Sequence, residues 1–304
     1  MKASKTVPTS IAPTIILIIV VLAYIMYMDT LSQPRQIERT QNVDKDHRIV
    51  LIVNKSIEEW KNLYREYISY SDNMYKKYNV VSAEYNIQLL YSIIDSAEPK
   101  YINKTFYLFD PIPCKRVILR ILIPEFAIEL YLNNAPAWGP DPYIKAVAET
   151  LKHYVNEYPK YRDYRLAYLI LQIASHIHYE WSPKHGDPLL EIVYDEGDCT
   201  TKTVLAIELA SGAGLWSASL VARPCKLNDF SVGHEYVAIA IKDAPEWLKK
   251  KFYFKWRNMT FFIAEVAVDA SWPKFPIEPY PCSYVEAIYE PYTSKAYSIN
   301  KPLW

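Results

Sequence analysis

The feature that most constrains the fold of this chain is a cysteine at the start of a predicted helix. Gly197 and Asp198 precede Cys199, and residues 199–209 carry the apolar spacing of a helix. Free N–H groups and the positive dipole end at a helix start favour a thiolate, which is the nucleophile of cysteine chemistry. A lone cysteine is more often simply buried, so a catalytic interpretation needs partner residues downstream of Cys199.

Two apolar runs downstream predict strands, and each has a titratable residue at one end. His234 opens the first run, and Asp269 directly follows the second, which spans residues 261–268. With Cys199 they supply the thiol, imidazole and carboxylate of a catalytic triad. Asp243, after the first run, is an alternative acid. Asp269 is preferred because it closes a strand-like run.

The chemistry of such a triad is set by its three side chains. His234 would take the thiol proton, and the thiolate of Cys199 would attack an amide or ester carbonyl to form a thioacyl enzyme. Asp269 would hold the imidazole in the useful tautomer. The N–H of Cys199 is one candidate oxyanion donor, and Tyr179 or Trp181 could supply a second. Water as second substrate gives hydrolysis, whereas an amine gives cross-linking.

These blocks resemble the core of the transglutaminase-like superfamily over about residues 174–271. The family pattern is Gly-Asp-Cys opening a helix, Gly-His opening a strand and Asp ending the next strand. The resemblance places Cys199 on the nucleophile, His234 on the base and Asp269 on the orienting acid. Ile177-His178-Tyr179 and residues 209–215 also match the family's flanks.

The chain departs from the family pattern at two places. The family commonly has Trp two residues after the histidine, where this chain has Tyr236. Residues 243–260 extend the stretch between the base and the acid, and they read as an insertion. The resemblance otherwise implies an α+β fold with a papain-like core, in which the catalytic helix packs on an antiparallel sheet.

The resemblance also implies a function class. It indicates a membrane-anchored cysteine enzyme of prokaryotic or archaeal type that acts on amide or peptide bonds, with hydrolysis favoured over amine transfer. The implied partner is a protein or peptide substrate, with no cofactor. A non-catalytic module of the cell envelope that keeps the fold for binding is the alternative, and an adaptor in an envelope complex is more remote.

The N-terminus carries the next strongest signal. Residues 11–28 contain no charged side chain, and about 18 apolar residues is the minimum for a membrane-spanning helix. A cleaved signal peptide is the rival interpretation, but residues 24–29 lack a small-x-small cleavage site. Lys2 and Lys5 precede the run, which favours an inside N-terminus. We therefore expect a single-pass protein of the cell membrane with its catalytic domain outside.

Composition narrows the remaining possibilities. The 304 residues are 51% hydrophobic and have zero formal net charge, which permits a sizeable core and does not indicate a nucleic-acid partner. Only 6 Gly against 21 Pro is weakly consistent with a heat-adapted protein. An outside location would permit one disulfide among Cys114, Cys225 and Cys282. No cysteine pair has metal-ligand spacing, so we expect no metal.

The predicted organisation has six parts. They are a short cytoplasmic tail (1–10), the span (11–28), a linker (29–48), a mostly helical region (49–140), the transglutaminase-like domain (141–290) and a polar tail (291–304). Before the catalytic helix the pattern predicts strands at 49–53 and 117–123 and helices at 57–78, 82–96, 142–157 and 164–179. After it the pattern predicts strands at 216–223, 234–241 and 261–268 and a last short helix at 285–288.

Overall fold

The computed structural model describes residues 48–79, 85–222, 233–268, 272–292 and 295–303. The predicted span at 11–28 lies outside the described residues, as do the tail before it and almost all of the linker after it. Within the described ranges, no helix is both long and apolar enough to cross a membrane.

The described residues form seven α-helices and ten β-strands, which confirms the predicted α+β class. The helices are α1 (Ile57–Tyr78), α2 (Ile87–Ser96), α3 (Glu125–Leu132), α4 (Pro142–Asn156), α5 (Arg162–His176), α6 (Pro188–Tyr194) and α7 (Cys199–Ala213). The strands are β1 (Ile49–Val53), β2 (Tyr101–Asp110), β3 (Lys115–Pro124), β4 (Ser217–Ala222), β5 (His234–Ala240), β6 (Phe254–Trp256), β7 (Met259–Glu265), β8 (Lys274–Ile277), β9 (Ser283–Tyr289) and β10 (Ala296–Pro302).

The first sheet has three strands in the order β1-β3-β2. β2 and β3 form an antiparallel hairpin, and β1 lies parallel to β3. Side chains alternate along β3, so that Val117 and Leu119 are buried while Arg116 and Arg120 face solvent. Because α4 contacts β1 and α5 contacts β2, the helices cover the apolar face of this sheet and leave the other face open.

The second sheet is antiparallel and has the order β10-β9-β4-β5-β7-β6, with β8 beside β7. Helix α7 packs on β4 and β5 and also against α4 and α5. The helix that begins with Cys199 therefore lies on the central strands of the sheet, and the first residue of β5 is His234.

A buried ion pair joins helix α5 to the first sheet. Arg165 in α5 donates to Asp110 at the end of β2, with Nη2 2.6 Å from Oδ2, and both side chains are fully buried. Nη1 of Arg165 also donates to the carbonyl of Val155 at 3.1 Å. The guanidinium thus has hydrogen-bond acceptors inside the core, as a buried charge requires.

Several predicted elements agree with the structure, and others differ for physical reasons. The strand at 49–53 and the helix at 57–78 have the predicted bounds. Helix α5 ends at His176, three residues earlier than predicted, because Ile177 is extended and Tyr179 pairs with Gly197. Region 49–140 contains three strands as well as three helices. The expected insertion at 243–260 carries a short 3-10 turn, Leu248–Lys250, and strand β6, which forms a hairpin with β7.

The predicted last short helix at 285–288 is wrong. These residues belong to β9, which pairs with both β4 and β10. From Ser283 to Ala287 burial alternates residue by residue, which is the period of a strand. Four apolar residues are too few to separate a helical from a strand period, so the neighbours decided the structure.

Candidate active site

The start of α7 is built by a reciprocal pair of hydrogen bonds. Asp198 is the N-cap, its side chain accepts from the N–H of Thr201 at 2.8 Å, and the Thr201 hydroxyl accepts from the N–H of Asp198 at 2.9 Å. Cys199 is then the first helical residue, so its N–H has no acceptor within the helix. A Cβ at Gly197 would lie 2.8 Å from Cγ of Lys202, which explains the glycine before this cap.

His234 lies between the thiol and a carboxylate. Its imidazole is close enough to interact with the side chain of Cys199, and its Nε2 lies 2.5 Å from Oε2 of Glu265. The other oxygen of Glu265 accepts from the N–H of Ala267 at 2.8 Å, which fixes the carboxylate. Tyr236 packs its ring edge-to-face on the imidazole with centroids 4.6 Å apart. The ring is thus held on three sides.

The environment of His234 favours its protonated form. Burial lowers the pKa of His234, but the hydrogen bonds with Cys199 and Glu265 and the charge of Glu265 outweigh burial and raise it to about 9. At neutral pH the imidazole is therefore charged. An imidazolium beside the thiol at a helix start is the arrangement that stabilises a thiolate.

The acid in contact with His234 is one that the sequence interpretation did not select. Asp269 lies outside the described residues, and its assignment stays a prediction. Asp243, the alternative, accepts from the N–H groups of Asp163 and Tyr164 at 3.0 and 3.3 Å, and so caps α5. Among the described residues, the carboxylate that contacts the imidazole is that of Glu265, the last residue of β7.

Of the two candidate second oxyanion donors, the structure brings Tyr179 close to the cysteine. Tyr179 forms a parallel bridge with Gly197, and the N–H of Gly197 donates to the carbonyl of His178 at 3.0 Å. Burial raises the pKa of Tyr179, and the nearby side chain of Cys199 adds to that effect. Trp181 is 63% exposed. Tyr179 is therefore the better placed of the two.

A buried lysine joins the segments that meet at the site, and the sequence interpretation missed it. Lys202 lies one turn after Cys199 and is fully buried. Its Nζ donates to the carbonyl of Ile177 at 2.6 Å and to that of Val268 at 3.4 Å. The first carbonyl lies just before Tyr179, and the second closes the segment after β7. Lys202 follows Cys199 by one helical turn, and this spacing could have placed it near the site. A lysine is normally expected to face solvent, so the sequence alone did not suggest a buried role.

A second carboxyl group sits beneath the first turn of α7. Glu235 accepts from the hydroxyl of Ser219 at 2.6 Å, and Glu286 lies 3.3 Å from the same hydroxyl. Burial raises the pKa of Glu235 to about 7, while hydrogen bonds with Ser219 and Thr200 act in the opposite direction. This carboxyl therefore changes its charge near neutral pH, one residue from the base and in contact with the residue after Cys199.

Further carboxyl groups lie in the interior behind the site. Burial raises the pKa of Asp187 to about 7 and that of Glu191 to about 8, and it also raises the pKa of Glu208. Among the described residues, no group of three or more His, Cys, Asp and Glu side chains is placed to hold a metal ion. Because their pKa values are raised to about 7 and about 8, Asp187 and Glu191 are mostly neutral at mildly acidic pH.

The cysteines differ in state. Cys199 and Cys114 carry free thiols, and Cys114 is exposed. Cys282 is disulfide-bonded. The exposed Cys114 is therefore an internal reference against which the reactivity of Cys199 can be measured.

The site therefore consists of a thiol at a helix start that is paired with an imidazole on the adjoining sheet. That imidazole is in turn paired with a carboxylate. No family model, curated protein or solved structure matches the chain. Its function is therefore argued from the geometry of the site.

Proposed function

We propose that the chain is a cysteine enzyme of transglutaminase-like type that cleaves amide or peptide bonds through a thioacyl intermediate. The observation that carries the proposal is the continuous contact from Cys199 through His234 to Glu265 at the start of α7. A structural cysteine in a core needs neither a helix start nor a charged imidazole.

Each residue of the site has a defined role in the proposed reaction. The thiolate of Cys199 attacks the carbonyl carbon, and the resulting oxyanion meets the N–H of Cys199 and the hydroxyl of Tyr179. Because Nε2 of His234 is hydrogen-bonded to Glu265, Nδ1 is the ring nitrogen left to serve the thiol, and it passes its proton to the leaving amine as the C–N bond breaks. Water then gives His234 a proton and attacks the thioester, which breaks the C–S bond and releases the acid.

Three observations support the wider proposal. Helix α7 packs on an antiparallel sheet, and the chain order is nucleophile, base and then acid, as in the family pattern. The disulfide at Cys282 suits an oxidising compartment. An anchor at residues 11–28 would hold the domain at the outer surface of the cell membrane, where a protein or peptide is the proposed substrate.

The test is acylation of the full-length chain in detergent by p-nitrophenyl acetate. We expect an acetyl group on Cys199, seen by peptide mass mapping, with release of nitrophenol that continues because the thioester turns over. Cys199→Ala should lose both, while Cys114→Ala should keep both. Acylation no greater at Cys199 than at Cys114 in folded protein would overturn the proposal and favour a non-catalytic binding module.

Adding methylamine to the same reaction separates the two fates of the thioester. Hydrolysis gives acetate whether or not the amine is present, and this is the proposed result. N-methylacetamide as the main product would instead assign amine transfer.

A further inference from the structure

A groove on the open face of the three-stranded sheet is the second site of interest, and we name it the basic-aromatic groove. It encloses about 630 Å³, which lies within the range of small-ligand sites. Its principal lining residues are Arg48, Tyr107, Phe109, Arg116, Ile118 and Trp272.

Aromatic rings give the groove apolar walls that are left open to solvent. Tyr107 is 69% exposed and Trp272 is 50% exposed. The Phe109 and Trp272 rings meet edge-to-face with centroids 5.3 Å apart, so the apolar wall that they form is preorganised. Exposed rings held in a fixed arrangement are typical of surfaces that bind a partner.

The charge in the groove has one sign. Arg116 lines it together with Arg48, which already has an interaction partner, and no Asp or Glu is among the described lining residues. Arg116 lies directly opposite Phe109 in the β2–β3 ladder and points to the open face. The chain as a whole has zero net charge, so this basic excess is local. A guanidinium above aromatic walls suits a carboxylate that is attached to an apolar or extended body.

Contacts lead from the groove towards the elements that support the candidate active site. The N–H and the carbonyl of Phe109 are each bonded at 2.8 Å to the side chain of Gln172, in α5. Trp272 follows Val268 by four residues, a span of at most about 14 Å. The carbonyl of Val268 in turn accepts from Lys202, one turn from Cys199. The groove and the candidate site are therefore joined through shared elements of the fold.

We propose that the basic-aromatic groove binds an acidic segment of the polypeptide substrate, with Arg116 receiving a carboxylate and Tyr107 and Trp272 covering the apolar part of the segment. The inference rests on the proposed function for the identity of the substrate as a polypeptide. Specificity for acidic sequences would then arise at a distance from the scissile bond.

The experiment measures binding to the full-length Cys199→Ala chain in detergent, which cannot acylate. Two fluorescent decapeptides are compared by anisotropy, one with four Glu residues around a Phe and one with Gln in their place. The groove variant is Arg116→Glu. The matched control is Arg120→Glu, which makes the same charge change on the same open face of β3 but outside the groove.

We expect the Glu peptide to bind about tenfold or more tightly than the Gln peptide, consistent with a charge-assisted pair. Arg116→Glu should abolish that difference, and Arg120→Glu should leave it nearly intact. Equal losses in the two variants would mean bulk electrostatics and would overturn the proposal, as would equal binding of both peptides. Binding of phosphatidylglycerol vesicles that is lost in Arg116→Glu, without peptide binding, would assign a lipid instead.

This result is separable from the test of the proposed function. Peptide binding is measured without any acylation. If the Cys199→Ala chain shows no preference for the Glu peptide while the parent chain acylates Cys199, the groove proposal alone is rejected. Circular dichroism of both variants checks that the fold is retained.

Discussion

Oε2 of Glu265 lies 2.5 Å from Nε2 of His234, and this contact holds the imidazole and favours its charged form. His234 opens β5 and Glu265 closes β7, the neighbouring strand, so the sheet itself brings the two residues together. The pairing makes the second ring nitrogen available to Cys199.

Replacing the acid should therefore slow acylation without unfolding the chain. Glu265→Gln keeps the shape of the side chain but removes the charge that favours the imidazolium, and we expect the rate to fall by about 10²- to 10⁴-fold if the known triad case is a guide. The measurement is the rate of nitrophenol release. A large loss in Asp269→Asn together with a normal Glu265→Gln would instead confirm the assignment made from the sequence.

Asp243 should behave as a structural residue. Because it accepts from two N–H groups at the start of α5, Asp243→Ala should lower the free energy of unfolding by about 1 kcal/mol, as the loss of a helix cap does. The rate of acylation should stay within about twofold when the protein is folded. Urea denaturation gives the first quantity. A hundredfold loss of rate at unchanged stability would show that Asp243 acts on the imidazole.

The buried pair of Arg165 and Asp110 should be sensitive to the loss of one partner. Arg165→Met leaves the carboxylate of Asp110 buried without its cation, and we expect a loss of about 3–5 kcal/mol in the free energy of unfolding. The double variant Asp110→Leu with Arg165→Met should recover much of that loss, because no charge remains buried. Equal stability of the single and double variants would contradict this account.

Stability should fall as the pH rises from about 4 to 9. The pKa of Asp187 is raised to about 7, that of Glu191 to about 8 and that of His234 to about 9. A pKa raised in the folded state gives stability that is complete below the unfolded pKa and is lost as the pH passes the folded one. The free energy of unfolding, measured in urea at each pH, should therefore be highest in acid.

Glu191→Gln isolates one of these groups. Since the amide cannot ionise, the variant should be more stable than the parent chain at pH 8 and similar to it at pH 5. A stability gain that is the same at both pH values would show that ionisation of Glu191 is not its cause.

The sequence predicted the parts of the fold that local patterns control. The helix at 57–78 begins with a capping box formed by Ser56 and Glu59, and its bounds were predicted from spacing alone. The start of α7 at Cys199 was likewise predicted from apolar spacing, and the structure shows Asp198 as its cap. The strand at 283–289 was missed because its pairing with β4 and β10 is a long-range contact that a short apolar run does not reveal.

The site was predicted in part for the same reason. Cys199 and His234 were identified from local signals, and the structure brings their side chains together. Glu265 was passed over because it lies within an apolar run, although Phe261, Ile263 and Glu265 alternate onto one face of β7. Which face meets His234 depends on the register between β5 and β7, and a sequence without pairing information does not give that register.

The most direct test of the central claim is the relative rate at which iodoacetamide alkylates the two free thiols at pH 6.5. An ordinary thiol is only about 1% ionised at this pH, and the lower intrinsic reactivity of a stabilised thiolate offsets part of the gain. We expect Cys199 to react at least about tenfold faster than the more exposed Cys114, and His234→Gln to remove that advantage. Alkylation of Cys199 no faster than Cys114 in the folded chain, or an advantage that persists in His234→Gln, would contradict the claim that the imidazole activates this cysteine.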